Sequence, residues 1–322
     1  MLARSAQGLY WMGRYMERAQ HLSRLLRLQT EALVDRSIRE IYFGWSRIYA
    51  SIGRQPPGAS LELNEDDDYT LADSYTLADD LTFERSNPGS VWTCFALGRE
   101  NARQMRHCIS AEMWTSLNLA YLRIQKLGIR DIWVASPESF YAETAAEINT
   151  LAGVAEATMY RDDGWRFMQL GHFMERAQLS AGLLLAHLDA KYTTGDDFDH
   201  DWTSLLRFYN ALEAYSQRYS VEVDGARVLE VLATDPQLPH SLCRSLDGVV
   251  AELAGLGPGP NVESSDAARR LAGRLAALVH NSWPDREDHE ELLREVSGHC
   301  WELHDLVAAT YFEYVLGESP AG

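Results

Sequence analysis

The chain has 322 residues, 46% of them hydrophobic and 24% charged, which is typical of a globular protein with a sizeable core. Its net charge of −18 argues against nucleic-acid binding, which needs a basic face, and disfavours adhesion to anionic membranes. Four separated cysteines without a CxxC pair favour buried, reduced thiols over a zinc site. Because the sequence shows neither a signal-peptide core nor a run of 18 apolar residues, we expect a cytoplasmic protein.

Helical periodicity runs through nearly the whole sequence, and no alternating β-branched run predicts a strand. Serines that suit helix caps precede several of the predicted helices, and Ser136-Pro137-Glu138 is a strong helix start. We therefore predict an all-α protein. The predicted helices are 3–35, 38–52, 91–108, 111–127, 137–161, 165–191, 200–219, 224–233, 240–256, 264–281 and 286–316.

One segment, residues 53–89, interrupts this pattern. It contains Pro56-Pro57-Gly58 and the acidic run 65–68, and it has few apolar residues. Such a composition orders poorly, so we predict a mobile surface excursion with one short helix. Calcium binding is a weaker alternative, because the carboxylates lack the alternating spacing and the glycine of an EF-hand loop.

The sequence repeats itself at a distance of about half its length. Residues 13–20 read GRYMERAQ and residues 171–178 read GHFMERAQ, and the segment 87–91 resembles 238–242 in the same order. Two matches at nearly equal offsets predict a duplicated unit. We expect two pseudo-symmetric helical halves, 1–163 and 164–322, packed as one unit with the two repeated helices adjacent near the centre.

Each repeated segment carries a glutamate near glycine. Glu17 follows Gly13 by one turn, and Glu175 shares a helix face with Gly171 and Gly182. Glycines are costly inside a helix, so they indicate a close backbone approach on this face. We therefore expect both glutamates to lie in an interface, where a carboxylate needs a partner.

Three side chains are candidate partners for these carboxylates: Arg18, Arg176 and His172. Two interpretations remain open at this point. The glutamates either form interhelical ion pairs that fix how the halves dock, or they belong to an acid–base site at the pseudo-symmetric centre.

A second polar cluster begins at Arg99-Glu100-Asn101-Ala102-Arg103 and continues to Glu112, Trp114 and Asn118. Glu100 and Arg103 can form a solvated pair of small worth, but polar residues among apolar ones also suggest a functional seam. No Glu-x-x-His pair, GxGxxG, P-loop, GxSxG or HExxH motif occurs. The sequence thus predicts no metal site and no cofactor.

Three segments, 2–26, 96–118 and 234–246, resemble in order the alpha-E family of bacterial all-helical domains. Where that family usually shows a second acid after its Glu-Arg pair, this chain has Gln20 and Gln178. The motif corresponds to these positions: Glu17, Arg18, Arg99, Glu100, Asn101, Arg103, Glu112, Trp114 and Asn118.

The resemblance implies a partner, because alpha-E genes lie beside, or are fused to, genes for circularly permuted ATP-grasp proteins. One hypothesis is a helical partner or substrate-presenting subunit of an ATP-grasp amide (peptide) ligase. The alternative is an enzyme for a peptide or amino-acid substrate, with Glu17 and Glu100 as catalytic acid–base groups and arginines binding a carboxylate. Whether the chain is an enzyme is left open, although the missing nucleophile and cofactor motifs favour the first hypothesis.

Only the first half carries the Arg-Glu-Asn-Ala-Arg segment, so we expect the two glutamates to differ. The hypothesis places Glu17 in a polar seam with Arg99, Glu100 and Arg103, and gives Glu175 and Arg176 a structural role.

Overall fold

The structure is a computed structural model that describes residues 1–58, 67–194, 199–219 and 222–313. These residues form fourteen α-helices and a short π-helical turn, and they contain no strand. The helices are α1 (Ala3–Asp35), α2 (Ile38–Ser51), α3 (Asp67–Thr82), α4 (Val91–Gln104), α5 (Ala111–Ile124), α6 (Ile129–Ala135), α7 (Pro137–Thr158), α8 (Asp163–Thr194), α9 (Asp199–Phe208), α10 (Leu212–Arg218), α11 (Gly225–Thr234), α12 (Leu242–Leu256), α13 (Val262–Ala277) and α14 (His289–Tyr311), and the π turn is Leu278–Ser282.

The predicted helix starts at serine are confirmed. Ser90, Ser110 and Ser136 each accept a hydrogen bond from the backbone N–H three residues later, which satisfies one of the unpaired donors of the first turn. Several of the predicted ends are too late, since α4 ends at Gln104, α5 at Ile124 and α7 at Thr158.

The predicted helix over 200–219 is wrong, because it is divided into α9 and α10. Asn210 lies between them with a φ of 52°, the left-handed conformation in which an α-helix cannot continue. Asparagine is among the few residues that adopt it readily.

The segment over 53–89 contains more regular structure than expected. Its helix α3 has 16 residues, and Leu77, Ala78 and Leu81 are buried. The indole Nε1 of Trp45 donates to Ser74 Oγ at 2.9 Å, which ties α3 to α2. Part of the acidic run, residues 65 and 66, lies outside the described residues.

Two long helices, α1 and α8, lie at the centre and pack against each other, as predicted for the helices that carry Glu17 and Glu175. α1 packs on α4 and α7, with α5 between those two, whereas α8 packs on α12 and α14, with α13 between them. α2, which follows α1 in the chain, packs mainly on α8, and α9, which follows α8, packs on α1. One cluster of buried apolar side chains contains residues from all of these central helices.

Glycines let α1 and α8 approach closely. A Cβ on Gly13 would lie 2.2 Å from the carbonyl oxygen of Met168, and one on Gly171 would lie 2.0 Å from that of Tyr10. A Cβ on Gly182 would likewise lie 2.4 Å from the carbonyl oxygen of Ser51. The close approach predicted from these glycines is therefore confirmed.

No helix of the described ranges is long and apolar enough to span a bilayer.

Candidate functional site

Glu17 is buried on α1, with 4% of the residue exposed, and its carboxylate contacts two side chains of α8. Arg176 donates from Nε and Nη2 to its two oxygens at 2.7 and 3.0 Å, and His172 Nδ1 lies 2.8 Å from Oε2. His172 Nε2 faces Arg176 Nη2 at 2.7 Å. A guanidinium can only donate, so Nε2 accepts and Nδ1 carries the proton that is shared with Glu17.

Glu175 is buried on α8, with 1% exposed, and its carboxylate contacts two arginines of α1. Arg14 Nε donates to Oε2 at 2.5 Å, and Arg18 Nε donates to Oε1 at 2.6 Å. Arg14 also donates from Nη2 to Gln178 Oε1 at 2.9 Å. This buried guanidinium is thus held on both sides by α8.

The two sites are related position by position. Arg14 and Arg18, which lie three residues before and one residue after Glu17, bind Glu175. His172 and Arg176, which lie three residues before and one residue after Glu175, bind Glu17 in the same way. The expected pairing of the glutamates with Arg18 and Arg176 is confirmed. His172, which stands one turn before Glu175 on α8, binds the glutamate of the other helix instead.

Both carboxylates are stabilised as anions. Burial alone would raise the pKa of Glu17, but the charge of Arg176 and the hydrogen bonds from Arg176 and His172 hold it well below its usual value. Burial opposes Arg14 and Arg18 in the same way at Glu175, and the pKa of Glu175 is also lowered. A carboxylate with a depressed pKa is a poor general acid at neutral pH.

Sequence reasoning missed three polar residues near Glu17: His21, which is buried, and Arg24 and His240, which are half-buried. Burial lowers the pKa of His21 to about 4 and that of His240 to about 2, so both rings are neutral at pH 7. Burial also lowers the pKa of Arg24, to about 10. The helical spacing was the available signal, because His21 and Arg24 lie one and two turns after Glu17 on the same face.

Glu17 and His172 also border a cleft of about 350 Å³ between α1, α5, α7 and α8. Four methionines, together with Ile148 and Leu151, make most of its lining apolar. The methionines are Met12, Met16, Met113 and Met168. The carboxylate is therefore beside a space that a small ligand could enter.

The predicted seam between Glu17 and the polar cluster of α4 is wrong. Glu100 accepts from Arg103 at 2.9 and 2.6 Å and from Gln104 at 2.9 Å, on a surface where its side chain is 41% exposed. These hydrogen bonds lower the pKa of Glu100 to about 2. The face of α4 that carries Glu100 points to solvent, while Glu17 points to α8.

The structure brings together another part of the predicted cluster. Arg99 Nε donates to Asn118 Oδ1 at 2.7 Å, and its guanidinium lies 5.5 Å from the ring of Trp114. Arg106 lies 5.0 Å from the same ring. Asn101 is half-buried on α4, and Glu112 is exposed on the first turn of α5.

The four cysteines are free, and three of them are buried, as expected for structural thiols. The described residues contain no group of three His, Cys, Asp or Glu side chains placed to hold a metal ion.

These features belong to a known class of helical domain. The sequence matches the Alpha-E family, described as a predicted alpha-helical domain with a conserved ER motif, over residues 1–312, and the chain belongs to this family. Both repeated segments contain such a Glu-Arg pair, at 17–18 and at 175–176.

Curated relatives are uncharacterized proteins of Mycobacterium bovis and of two strains of Mycobacterium tuberculosis. Each is 26% identical over 343 aligned positions, which cover 97% of this chain and 37% of the relative. The chain thus spans little more than a third of the length of these relatives. No solved structure matches it.

Proposed function

We propose that this chain is the helical partner or substrate-presenting subunit of an ATP-grasp-type amide (peptide) ligase system in the cytoplasm. The alpha-E resemblance supplies the ATP-grasp context. The observation that carries the non-catalytic role is the use of both repeated glutamates in buried ion pairs between α1 and α8. Charged groups held in this way fix the register of two helices and are unsuited to proton transfer.

The surface of α4 and α5 supports a partner-binding role. Residues 85–130 contain seven Lys or Arg and two Asp or Glu in a chain of net charge −18. Leu97, Leu119 and Leu122 are exposed there, at 37, 60 and 43%, close in sequence to the arginine-flanked Trp114. Exposed apolar side chains with Trp and Arg are typical of protein interfaces.

We also propose that the two halves, 1–163 and 164–322, arose by duplication and pack as one unit. Three observations support this: the repeated segments, the reciprocal binding of Glu17 and Glu175, and the reciprocal contacts of Gly13 and Gly171. The packing of α1 with α4 and α7 also parallels that of α8 with α12 and α14.

The proposed role is tested by co-purification of this chain with a circularly permuted ATP-grasp protein of the same genome. An ATP-dependent amide-ligation assay then compares that protein alone with the mixture. We expect a stable complex and a higher ligation rate in the mixture. Failure of both would reject the role.

A second function, an enzyme that uses Glu17, is favoured by one observation: His172 Nδ1 lies 2.8 Å from the Glu17 carboxylate at the edge of the methionine-lined cleft. In this case, the chain alone would turn over a peptide or amino-acid substrate, and His172→Gln would abolish turnover without loss of the partner complex. Activity that always requires the ATP-grasp protein would exclude this second function.

A further inference from the structure

A second cleft, of about 310 Å³, lies between α1, α7, α9 and α10, and we call it the Arg24 cleft. Three arginines line it, Arg24 and Arg27 from α1 and Arg207 from the end of α9. Its volume is at the lower limit of small-molecule sites. It shares no lining residue with the methionine-lined cleft or with the polar cluster of α4 and α5, and the proposed function has not used it.

Arg24 lacks a partner that its position calls for. Its Nη2 is buried and has no hydrogen-bond partner among the described residues. Its guanidinium lies 5.3 Å from the ring of Phe208, which also lines the cleft. The guanidinium lines the cleft and donates no hydrogen bond within the described residues, and the ligand group that best complements it is a carboxylate or phosphate oxygen.

The other charges of the cleft are divided between the two signs. Arg27 Nε donates to Glu31 Oε1 at 2.9 Å, so these two largely neutralise each other. Arg207 and Glu213 are exposed at the cleft, and neither has an ion pair within the described part of the chain. The cleft thus contains two arginines, Arg24 and Arg207, and one carboxylate, Glu213, that have no ion pair within the described residues. This arrangement is complementary to a ligand that carries both a negative and a positive charge.

We propose that the Arg24 cleft binds a zwitterionic ligand, a free amino acid or a short peptide. Arg24 and Arg207 bind its carboxylate, and Glu213 binds its ammonium group. Phe208 and Leu28 supply apolar contact for a small side chain. This inference rests on the proposed function in one respect, the role of the ligand as the substrate that the subunit presents to the ligase. Binding of the ligand to the cleft does not require the ligase.

The test is calorimetric titration of the full chain with L-alanyl-L-alanine. Two analogues are titrated beside it, the C-terminal amide, which lacks the carboxylate, and the N-acetyl dipeptide, which lacks the ammonium group. We expect saturable binding of the dipeptide, about tenfold weaker binding of the amide, and a smaller loss for the N-acetyl form. Inorganic phosphate is the fourth probe, because it shares the anionic chemistry alone.

Arg207→Gln is the first variant, since Arg207 is exposed and its replacement leaves the core unchanged. It should weaken dipeptide binding about tenfold. Arg24→Gln should do the same, with its folding checked by circular dichroism. The matched control is Arg130→Gln, an exposed arginine on α6 remote from the cleft lining, which should bind as the unmodified chain does.

The absence of saturable dipeptide binding, equal binding of the C-terminal amide, or phosphate binding as tight as that of the dipeptide would each overturn the assignment. So would an unchanged affinity in Arg207→Gln. Dipeptide binding without an effect on ligation would retain this site and reject the ligase role. Ligation that depends on this chain, without dipeptide binding, would retain the ligase role and reject this site.

Discussion

At Glu17 and Glu175, a carboxylate is withdrawn from water and neutralised by cations of the opposite helix. The gain from such a pair is largely cancelled by the cost of desolvating both charges, so its presence is weak evidence for stability. The loss of one member is different, because the remaining charge stays buried without a partner. The reciprocal arrangement makes these pairs determinants of register, since α1 and α8 can satisfy both carboxylates in one relative position only.

Glu17→Gln and Glu175→Gln should therefore destabilise the protein to a similar extent, although the sequence alone suggested different roles for the two glutamates. Glu17→Gln leaves Arg176 without a counter-ion, and Glu175→Gln leaves Arg14 and Arg18 without one. We expect each change to lower the free energy of unfolding by on the order of 3 kcal/mol. Denaturant titration measures the change.

Glu100→Gln is the matched control for these two variants, because its pair with Arg103 is exposed to solvent and contributes little to stability. If Glu17→Gln melted like the unmodified protein while it lost partner-dependent activity, the register role of Glu17 would be wrong.

Stability should fall as the pH is lowered from 7 to 5, before the glutamates titrate. His21 and His240 have pKa values of about 4 and 2, because burial disfavours their charged forms, whereas an unfolded histidine titrates near ~6.5. Below ~6.5 the unfolded chain therefore binds protons that the folded chain does not, which favours unfolding. We expect a slope of up to about 1.4 kcal/mol per pH unit for each histidine, measured by denaturant titration at several pH values.

His21→Gln should reduce this slope, and the exposed His107→Gln should leave it unchanged. Glu17 and Glu175 have lowered pKa values, so their contribution is present above their unfolded pKa of ~4.3 and is lost only at lower pH. Constant stability between pH 7.5 and 5 would contradict the burial of neutral histidines.

At the scale of the helix, the crossing of α1 and α8 sets the geometry of both ion pairs. Helix propensity alone predicts that Gly→Ala stabilises a helix by about 1 kcal/mol. At Gly13 and Gly171 the new methyl group would lie 2.2 and 2.0 Å from backbone carbonyl oxygens, which no side-chain rotation can relieve. We therefore expect Gly13→Ala and Gly171→Ala to destabilise the protein by at least about 2 kcal/mol in denaturant titrations.

Gly273→Ala in α13 is the control for this crossing, because its Cβ would meet nothing within 4 Å. It should stabilise the protein by up to about 1 kcal/mol. The same stabilising sign at Gly13 would show that α1 and α8 lie further apart than the structure places them.

At the scale of the whole molecule, charge is unevenly distributed. The chain carries a net −18, yet its segment 85–130 is basic, and α4 and α5 of this segment carry the half-buried cluster of Arg99, Trp114 and Asn118. Opposite charges accelerate association and make it sensitive to salt. The proposed ATP-grasp partner should therefore present an acidic surface to these helices.

Arg103→Glu and Trp114→Ala should each weaken the complex with the ATP-grasp protein about tenfold or more, since Trp and Arg are common interface anchors. The affinity of the unmodified chain should fall as salt rises from 50 to 500 mM (about fivefold to tenfold), because the Debye length shortens. Biolayer interferometry measures both effects.

Arg270→Glu, an exposed charge reversal on α13, is the control and should leave the complex intact. Equal weakening by this control would indicate a general effect of net charge, and the surface of α4 and α5 would lose its assigned role.

The sequence determined the local structure of this protein. Periodicity, capping serines and glycines are signals that act within one helix, and they predicted nearly all helices, the close crossing and the pairing of the glutamates with arginines. They also contained an unused signal. Val91, Cys94, Gly98 and Ala102 form the buried stripe of α4, and Glu100 lies opposite it, so its exposure was readable from the spacing.

Apart from the crossing of α1 and α8, which the repeated segments predicted, only the tertiary structure decided which helices meet. Helical spacing fixes the face on which a side chain lies, but it does not determine which face of another helix lies opposite. The binding of His172 to Glu17, the unsatisfied Arg24 and the joining of Arg207 to α1 in one cleft all depend on contacts between residues more than 150 positions apart. Such contacts depend on the packing of the whole core, because each helix can bury its apolar stripe against several alternative neighbours.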